Sequence, residues 1–128
     1  MATTYHNAGL NLSQACTSSM NYSASGDFLT AGSGETYILK SIQVSNTVNA
    51  IAGTFYGTNI SVNLLDYSAG ATHSISNFMI VPKNSSIDVL SDNLVLESND
   101  KVTIQITGSA EAETTYQISA IGSYLKIT

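Results

Sequence analysis

Asn84-Ser-Ser-Ile-Asp-Val-Leu-Ser-Asp-Asn-Leu-Val-Leu-Glu-Ser-Asn-Asp-Lys-Val-Thr-Ile-Gln-Ile106 holds three short apolar runs, 87–90, 94–96 and 102–106, divided by clusters of Ser, Asp and Asn. In the last run Val102, Ile104 and Ile106 alternate with Lys101, Thr103, Gln105 and Thr107. Residues two apart share a face of a pleated strand, so this alternation makes one dry face and one wet face. Ser98, Asn99 and Asp100 carry side chains that bond their own backbone and tolerate tight turns, which places a turn between two strands.

The pattern continues on both sides. Ile60, Val62 and Leu64 read as inward, with Ser61 and Asn63 outward, before a turn at 68–71. In the next run Phe78 and Ile80 share one face and Met79 and Val81 the other, and Pro82 ends it because proline cannot donate to a ladder. Upstream, 36–46 reads as the longest strong strand, with Ile38, Ile42 and Val44 on one face and Tyr37 and Leu39 on the other. Two large side chains on the second face imply contact beyond the domain's own core. The segment before it, 21–26, reads as loop, followed by a short strand at 27–31 and a turn at Gly32-Ser-Gly34. At the C-terminal end Tyr116, Ile118 and Ala120 share one parity and Ile121, Leu125 and Ile127 the other. Gly122 and Ser123 mark a changeover of the kind a bulge produces. No 3.6-residue period occurs. The fold class is all-β: an antiparallel β-sandwich of about eight strands, jelly-roll or immunoglobulin-like, since both strand orders give the same alternation. Residues 27–128 form the sandwich, and 1–26, poor in apolar side chains, are expected as an N-terminal arm or edge segment.

Composition narrows the function. The chain has 128 residues, enough for one domain with its own core. Only 10% are charged, the four cations are all lysine, and the net charge is −5. Nucleic-acid binding needs clustered cations, so this balance excludes it. Cys16 is the single cysteine, which rules out an intrachain disulfide, and it reads as a small filler. No apolar stretch reaches the roughly 20 residues of a membrane-spanning helix. The N-terminus lacks a basic start followed by an apolar run, so synthesis in a cytoplasm is expected.

Candidate chemistry is sparse. His6 and His73 lie in polar surroundings and read as surface residues. Asp88, Asp92, Glu97 and Asp100 cluster in sequence, but their spacing matches no calcium loop and they read as solvated turn acids. The four Asn-x-Ser triplets, at Asn11, Asn21, Asn59 and Asn84, are expected by chance in so Asn- and Ser-rich a chain. No catalytic, cofactor-binding or metal-ligating residue is assigned, and an enzyme is not expected. Seven tyrosines and three phenylalanines, several at expected loops, suit contact surfaces instead. The candidate partner-binding residues are Tyr5, Leu10, Leu12 and Tyr22 in the expected arm, with Phe55 and Tyr56 between Gly53 and Gly57.

Four segments, 30–46, 80–90, 94–104 and 121–127, together resemble small β-sandwich virion structural proteins of tailed bacteriophages, of the marine and cyanobacterial type. Asn84 and Asn99 stand where the family form has glycine, and both residue types serve a left-handed turn. The resemblance covers 30–128 and rests on turns and strand ends. It implies a virion component, made in the host cytoplasm, most simply a capsid decoration or cement protein. Its implied partners are the major capsid protein or other virion proteins and further copies of itself, with a homotrimer favoured. A neck or tail adaptor, a fibre-attachment component and a receptor- or glycan-binding module are the alternatives. In the decoration reading the arm would carry docking, and removal of residues 1–26 is expected to leave a folded domain.

Overall fold

The computed structural model describes residues 2–16, 20–50, 58–81, 85–110 and 114–128. Alternating apolar residues become ten strands: β1 (Thr3–Cys16), β2 (Met20–Thr30), β3 (Thr36–Leu39), β4 (Gln43–Ala50), β5 (Thr58–Asp66), β6 (Ala71–Val81), β7 (Ser85–Asp88), β8 (Leu94–Leu96), β9 (Lys101–Ala110) and β10 (Thr114–Ile127). Their pairing obeys a simple rule. β1 runs antiparallel to β10, β2 to β9, β3 to β8, β4 to β7 and β5 to β6. The chain is therefore one long hairpin whose tip is the β5–β6 turn. Cross-pairings of β10 with β3 and β4, and of β9 with β5, roll that hairpin into two sheets.

Sheet A runs β1, β10, then β4 and β3 end to end, then β7 and β8 end to end; sheet B runs β2-β9-β5-β6. With each end-to-end pair taken as one row, eight rows in the order 1-8-3-6 face 2-7-4-5. That is the jelly roll, and it decides between the two orders left open by the alternation.

The core lies between the sheets. Val102, Ile104 and Ile106 of β9 and Ile60 and Val62 of β5 are fully buried, as their alternation requires. Leu64 packs against them. Sheet A contributes Leu39, Val44, Leu96, Ile118 and Ala120. Covering each large aliphatic side chain contributes about 1.5–3 kcal/mol, so this layer dominates the stability. On β6, Val81 faces in and Ile80 out. The buried Asn46 of β4 donates from Nδ2 to the Val81 carbonyl at 2.8 Å, tying the sheets together.

Strand 36–46 departs from its sequence reading. Tyr37 and Leu39 are buried with Ile42 and Val44, while Ile38 faces outward, half-buried. The parity switches at Lys40–Ile42, where β3 ends before β4 begins. Leu39 lies opposite Tyr124 and Gln43 opposite Ile121, so three residues face Gly122 and Ser123. The changeover expected in β10 at Gly122 and Ser123 does not occur there: Ile118, Ala120 and Tyr124 keep one inward parity and Ile121 faces out, and the extra residue sits in the neighbouring strand. On its other side β10 keeps an unbroken register with β1. A Cβ on Gly122 would run into the Ser41 carbonyl, so glycine makes room for the bulged backbone. The Lys40 amide donates to the Ser123 carbonyl at 2.9 Å and closes the gap.

The N-terminal segment is not a free arm. β1 pairs with β10 along its whole length, and residues 20–26 are strand, not loop. The small residues there have a packing reason. A Cβ at Gly26 would meet the Leu10 and Leu12 side chains within 3.0–3.4 Å, so β2 stays thin where β1 inserts its leucines. A further bulge between Asp27 and Leu29 turns both Phe28 and Leu29 inward. The boundary expected at 26/27 falls inside β2, and residues 1–26 supply an edge strand to each sheet.

The turns at the end of the sandwich holding both termini converge on Asp100. This carboxylate, 6% exposed, accepts the Tyr67 amide at Oδ1 and the Glu97 amide at Oδ2, both at 2.9 Å. Its carbonyl takes the Ala31 amide at 2.9 Å, and Asn99 beside it has φ 67°, as an Asn-for-glycine turn requires. The Gly34 amide, where φ is 76°, donates to Ser98 Oγ at 3.0 Å. Asp100 is thus a turn clamp and not a solvated acid. Asp100→Ala leaves two inward-facing amides without acceptors and is expected to cost about 2–3 kcal/mol in urea unfolding, with Asp100→Asn losing less. Deleting residues 1–26 removes the β1 ladder and half of β2, and circular dichroism should show no cooperative unfolding transition.

Candidate interaction surface

On the outer face of sheet A the register lines up an apolar row. Tyr5 lies opposite Leu125, Leu125 opposite Ile38, and Ile38 opposite Val95. One side chain from each row of the sheet therefore crosses its full width. Tyr5 is 77% exposed and Val95 51%, while Leu125 and Ile38 between them are half-buried. Ile121, 56% exposed, stands farther along β10 at the rim of a depression of about 360 Å³ lined by Asn7, Ala8, Ser41, Gly122 and Ser123. The bulge at Ser41 opens that depression. Contact beyond the core, inferred from Tyr37 and Leu39, is instead offered by Ile38, because the parity switch reverses the faces.

Sheet B presents a different exterior. Ser25, Asp27, Asn63, Thr103 and Gln105 line a broad polar groove of about 500 Å³. One ion pair flanks it, Lys101 Nζ to Asp27 Oδ2 at 3.6 Å. Groups of this kind stay well hydrated, so the apolar row of sheet A, which spans all four rows of its sheet, is the stronger candidate for contact.

Beside the termini an aromatic ladder closes the sandwich. Tyr37 stacks on Tyr124 at 4.8 Å between centroids, and Tyr124 on His6 at 5.3 Å. Lys126 Nζ pairs with Glu35 Oε2 at 2.9 Å, and the Tyr37 hydroxyl donates to Glu35 Oε1 at 3.3 Å. Burial, with Tyr37 alongside, pushes the Tyr124 hydroxyl above the ordinary tyrosine range. The hydrogen bond to Glu35, and then its charge, hold Lys126 above the ordinary lysine range.

Of the expected contact residues, Tyr5 is on the surface. Leu12 is buried and Leu10 packs against the core, so neither is free to meet a partner. Their alternation was a core signal. The backbone of Tyr22 pairs with Gly108 in β2, but its side chain is outside the described part, as are Phe55 and Tyr56 altogether. His6 and His73 stand on different sheets and form no pair. Among the described residues no three His, Cys, Asp or Glu side chains gather as metal ligands. Ile38, Val95, Ile121 and Leu125 were missed as surface residues because each sits in a strand whose partner on the outer face only the register reveals.

Searches with family models and against curated proteins find no match to the chain. Solved structures do match. The structure of infectious bursal disease virus, Gt strain, superposes with a TM-score of 0.50 at 11% identity, over 97% of this chain and 32% of that one. A variant VP2 protein of the same virus, in derived T=1 particles, gives 0.46 at 12% identity, over 97% and 31%. The chain thus spans about a third of the viral chains it matches, and at such identity the likeness is one of fold.

The aromatic ladder predicts an alkaline weakness. A tyrosine that holds its proton more firmly when folded, and a lysine that holds its charge more firmly when folded, both lose stabilisation as pH rises past the unfolded values. The urea midpoint should stay level between about pH 7 and about pH 9 and fall between about pH 10 and about pH 12. Tyr124→Phe combined with Glu35→Gln should flatten that fall.

Proposed function

We propose that the chain is a non-enzymatic structural component of a virus particle, acting as a capsid decoration or cement protein that attaches to the shell as a homo-oligomer. The observation that carries this reading is the 1-8-3-6 on 2-7-4-5 jelly roll, superposable over nearly all of its length on part of a virion protein. The surface supports it as well. A sandwich with a charge-poor, Ser-, Thr- and Asn-rich exterior and one apolar row across an outer face is suited to adhesion between preformed surfaces. Tyr5, Leu125, Ile38 and Val95 would be dehydrated against a shell subunit, each contributing about 1–2 kcal/mol when covered. Repetition over an oligomer then multiplies modest contacts into firm attachment. Phage origin follows from the sequence resemblance alone and is part of the proposal.

An antibody raised against the chain, applied to purified particles of its source and imaged by electron microscopy, tests this. Label spread over the whole head is expected. Label at a single vertex would transfer the protein to the neck or tail, and no label on any particle would remove it from the virion.

A further inference from the structure

Among the described residues each sheet ends in two edge strands, and three of the four carry a device that discourages further pairing. β2 has its bulge at Asp27–Leu29 and an ion pair there. β6 shifts register twice against β5. The β7/β8 row consists of strands of only four and three residues, with Asp88 ending the first. Short strands, charges and bulges are the usual means by which β-proteins keep an edge from capturing another strand.

β1 has none of them. It is fourteen residues long, its register with β10 is unbroken, and it contains no proline and no charged residue. All nine acidic residues and all four lysines of the chain lie at position 27 or beyond. The phase of its ladder is also fixed. Ala2 and Thr128 exchange both backbone hydrogen bonds, at 3.4 and 3.0 Å, so even-numbered residues bond to β10. Thr3, Tyr5, Asn7, Gly9, Asn11 and Ser13 therefore turn their amides and carbonyls toward the open edge.

We propose that β1 pairs antiparallel with β1 of a second copy, about a two-fold axis at Gly9, joining two A sheets into one. This register gives nearly complete overlap and keeps the Leu10 and Leu12 faces of both copies on the inner side, which an odd offset would not. It sets Asn7 opposite Asn11 and Tyr5 opposite Ser13 of the second copy, with no like charges facing. Self-pairing is favoured over a foreign strand because the open edge is uncharged and self-complementary, while all nine acidic residues of the chain lie beyond it in sequence. Gly9, whose Cβ position meets only the Ala120 carbonyl at 3.7 Å, leaves the axis unobstructed. The interface belongs to the isolated chain and does not depend on the virion reading.

Sedimentation of the full chain should show a dimer. Asn7→Lys with Asn11→Lys should be monomeric while still melting cooperatively, because lysines would face lysines at exposed positions, and Asn7→Asp with Asn11→Asp likewise. An equimolar mixture of the two should dimerise again, at least about tenfold more tightly than either alone. Hydrogen exchange of the wild type, which needs no variant, should show concentration-dependent protection of the Tyr5, Asn7, Gly9, Asn11 and Ser13 amides. A wild-type monomer, an oligomer (a trimer included) that survives the lysines, a mixture that stays monomeric, or unprotected odd-numbered amides would each overturn the proposal. Particle labelling would be unaffected by any of these.

Discussion

The ladder between the first strand and the last is the constraint on which the molecule depends. From Thr3 opposite Ile127 to Cys16 opposite Thr114, β1 and β10 pair without a slip, and β10 carries β3 and β4 on its other side. Remove that ladder and sheet A loses its central strand's partner. The other rungs nest within it: β2 with β9, then β3 and β4 with β8 and β7, then β5 with β6. Only the innermost is closed by a short turn, at Tyr67–Gly70, where Gly70 has φ 62°. Each outer rung closes a longer loop of chain, so the entropic cost of assembly is greatest for the rung that completes the fold.

Parity is the second constraint, and the bulges manage it. A strand can keep one face dry over its full length only if its neighbours curve with it. The jelly roll curves, and to follow it β2 and the β3/β4 row each admit one extra residue and β6 admits two. The bulge opposite Gly122 has two effects. It returns Ile42 and Val44 to the core after Tyr37 and Leu39, and it leaves the depression beside Ile121 on the outer face. The apolar row and the depression are thus by-products of how the core is kept continuous.

With few charges to spare, the exterior is differentiated by geometry. Sheet B carries a polar groove over β2, β9 and β5 with Ile80 exposed on β6, sheet A carries an apolar row, and β1 leaves a row of backbone groups at its side. Backbone groups and apolar side chains recognise flat, repeating partners better than small ligands, because neither supplies the converging polar contacts of a pocket. This is the physical link between the fold and the assembly role proposed for it.

Much was legible in the residues themselves. Strict alternation in 60–64 and 102–106 assigned the inward set correctly, because a buried strand with one wet face admits only one reading of period two. Asn99 and Gly34 announced their turns, because positive φ is tolerated by few residue types. Strand order was not legible, since every antiparallel sandwich alternates alike. Nor was the role of Leu10 and Leu12, whose partners lie across a sheet boundary at Gly26. Asp100 looked like any turn acid until Tyr67, 33 residues upstream, was brought to it. The sequence by itself determined the strands whose alternation is strict and the turns between them, because both are local properties of backbone and side chain. The polar stretch 21–26, however, reads as loop although it pairs as strand. Only the tertiary structure decided which faces meet solvent, since that depends on register between strands far apart in the chain and on where a single extra residue is inserted.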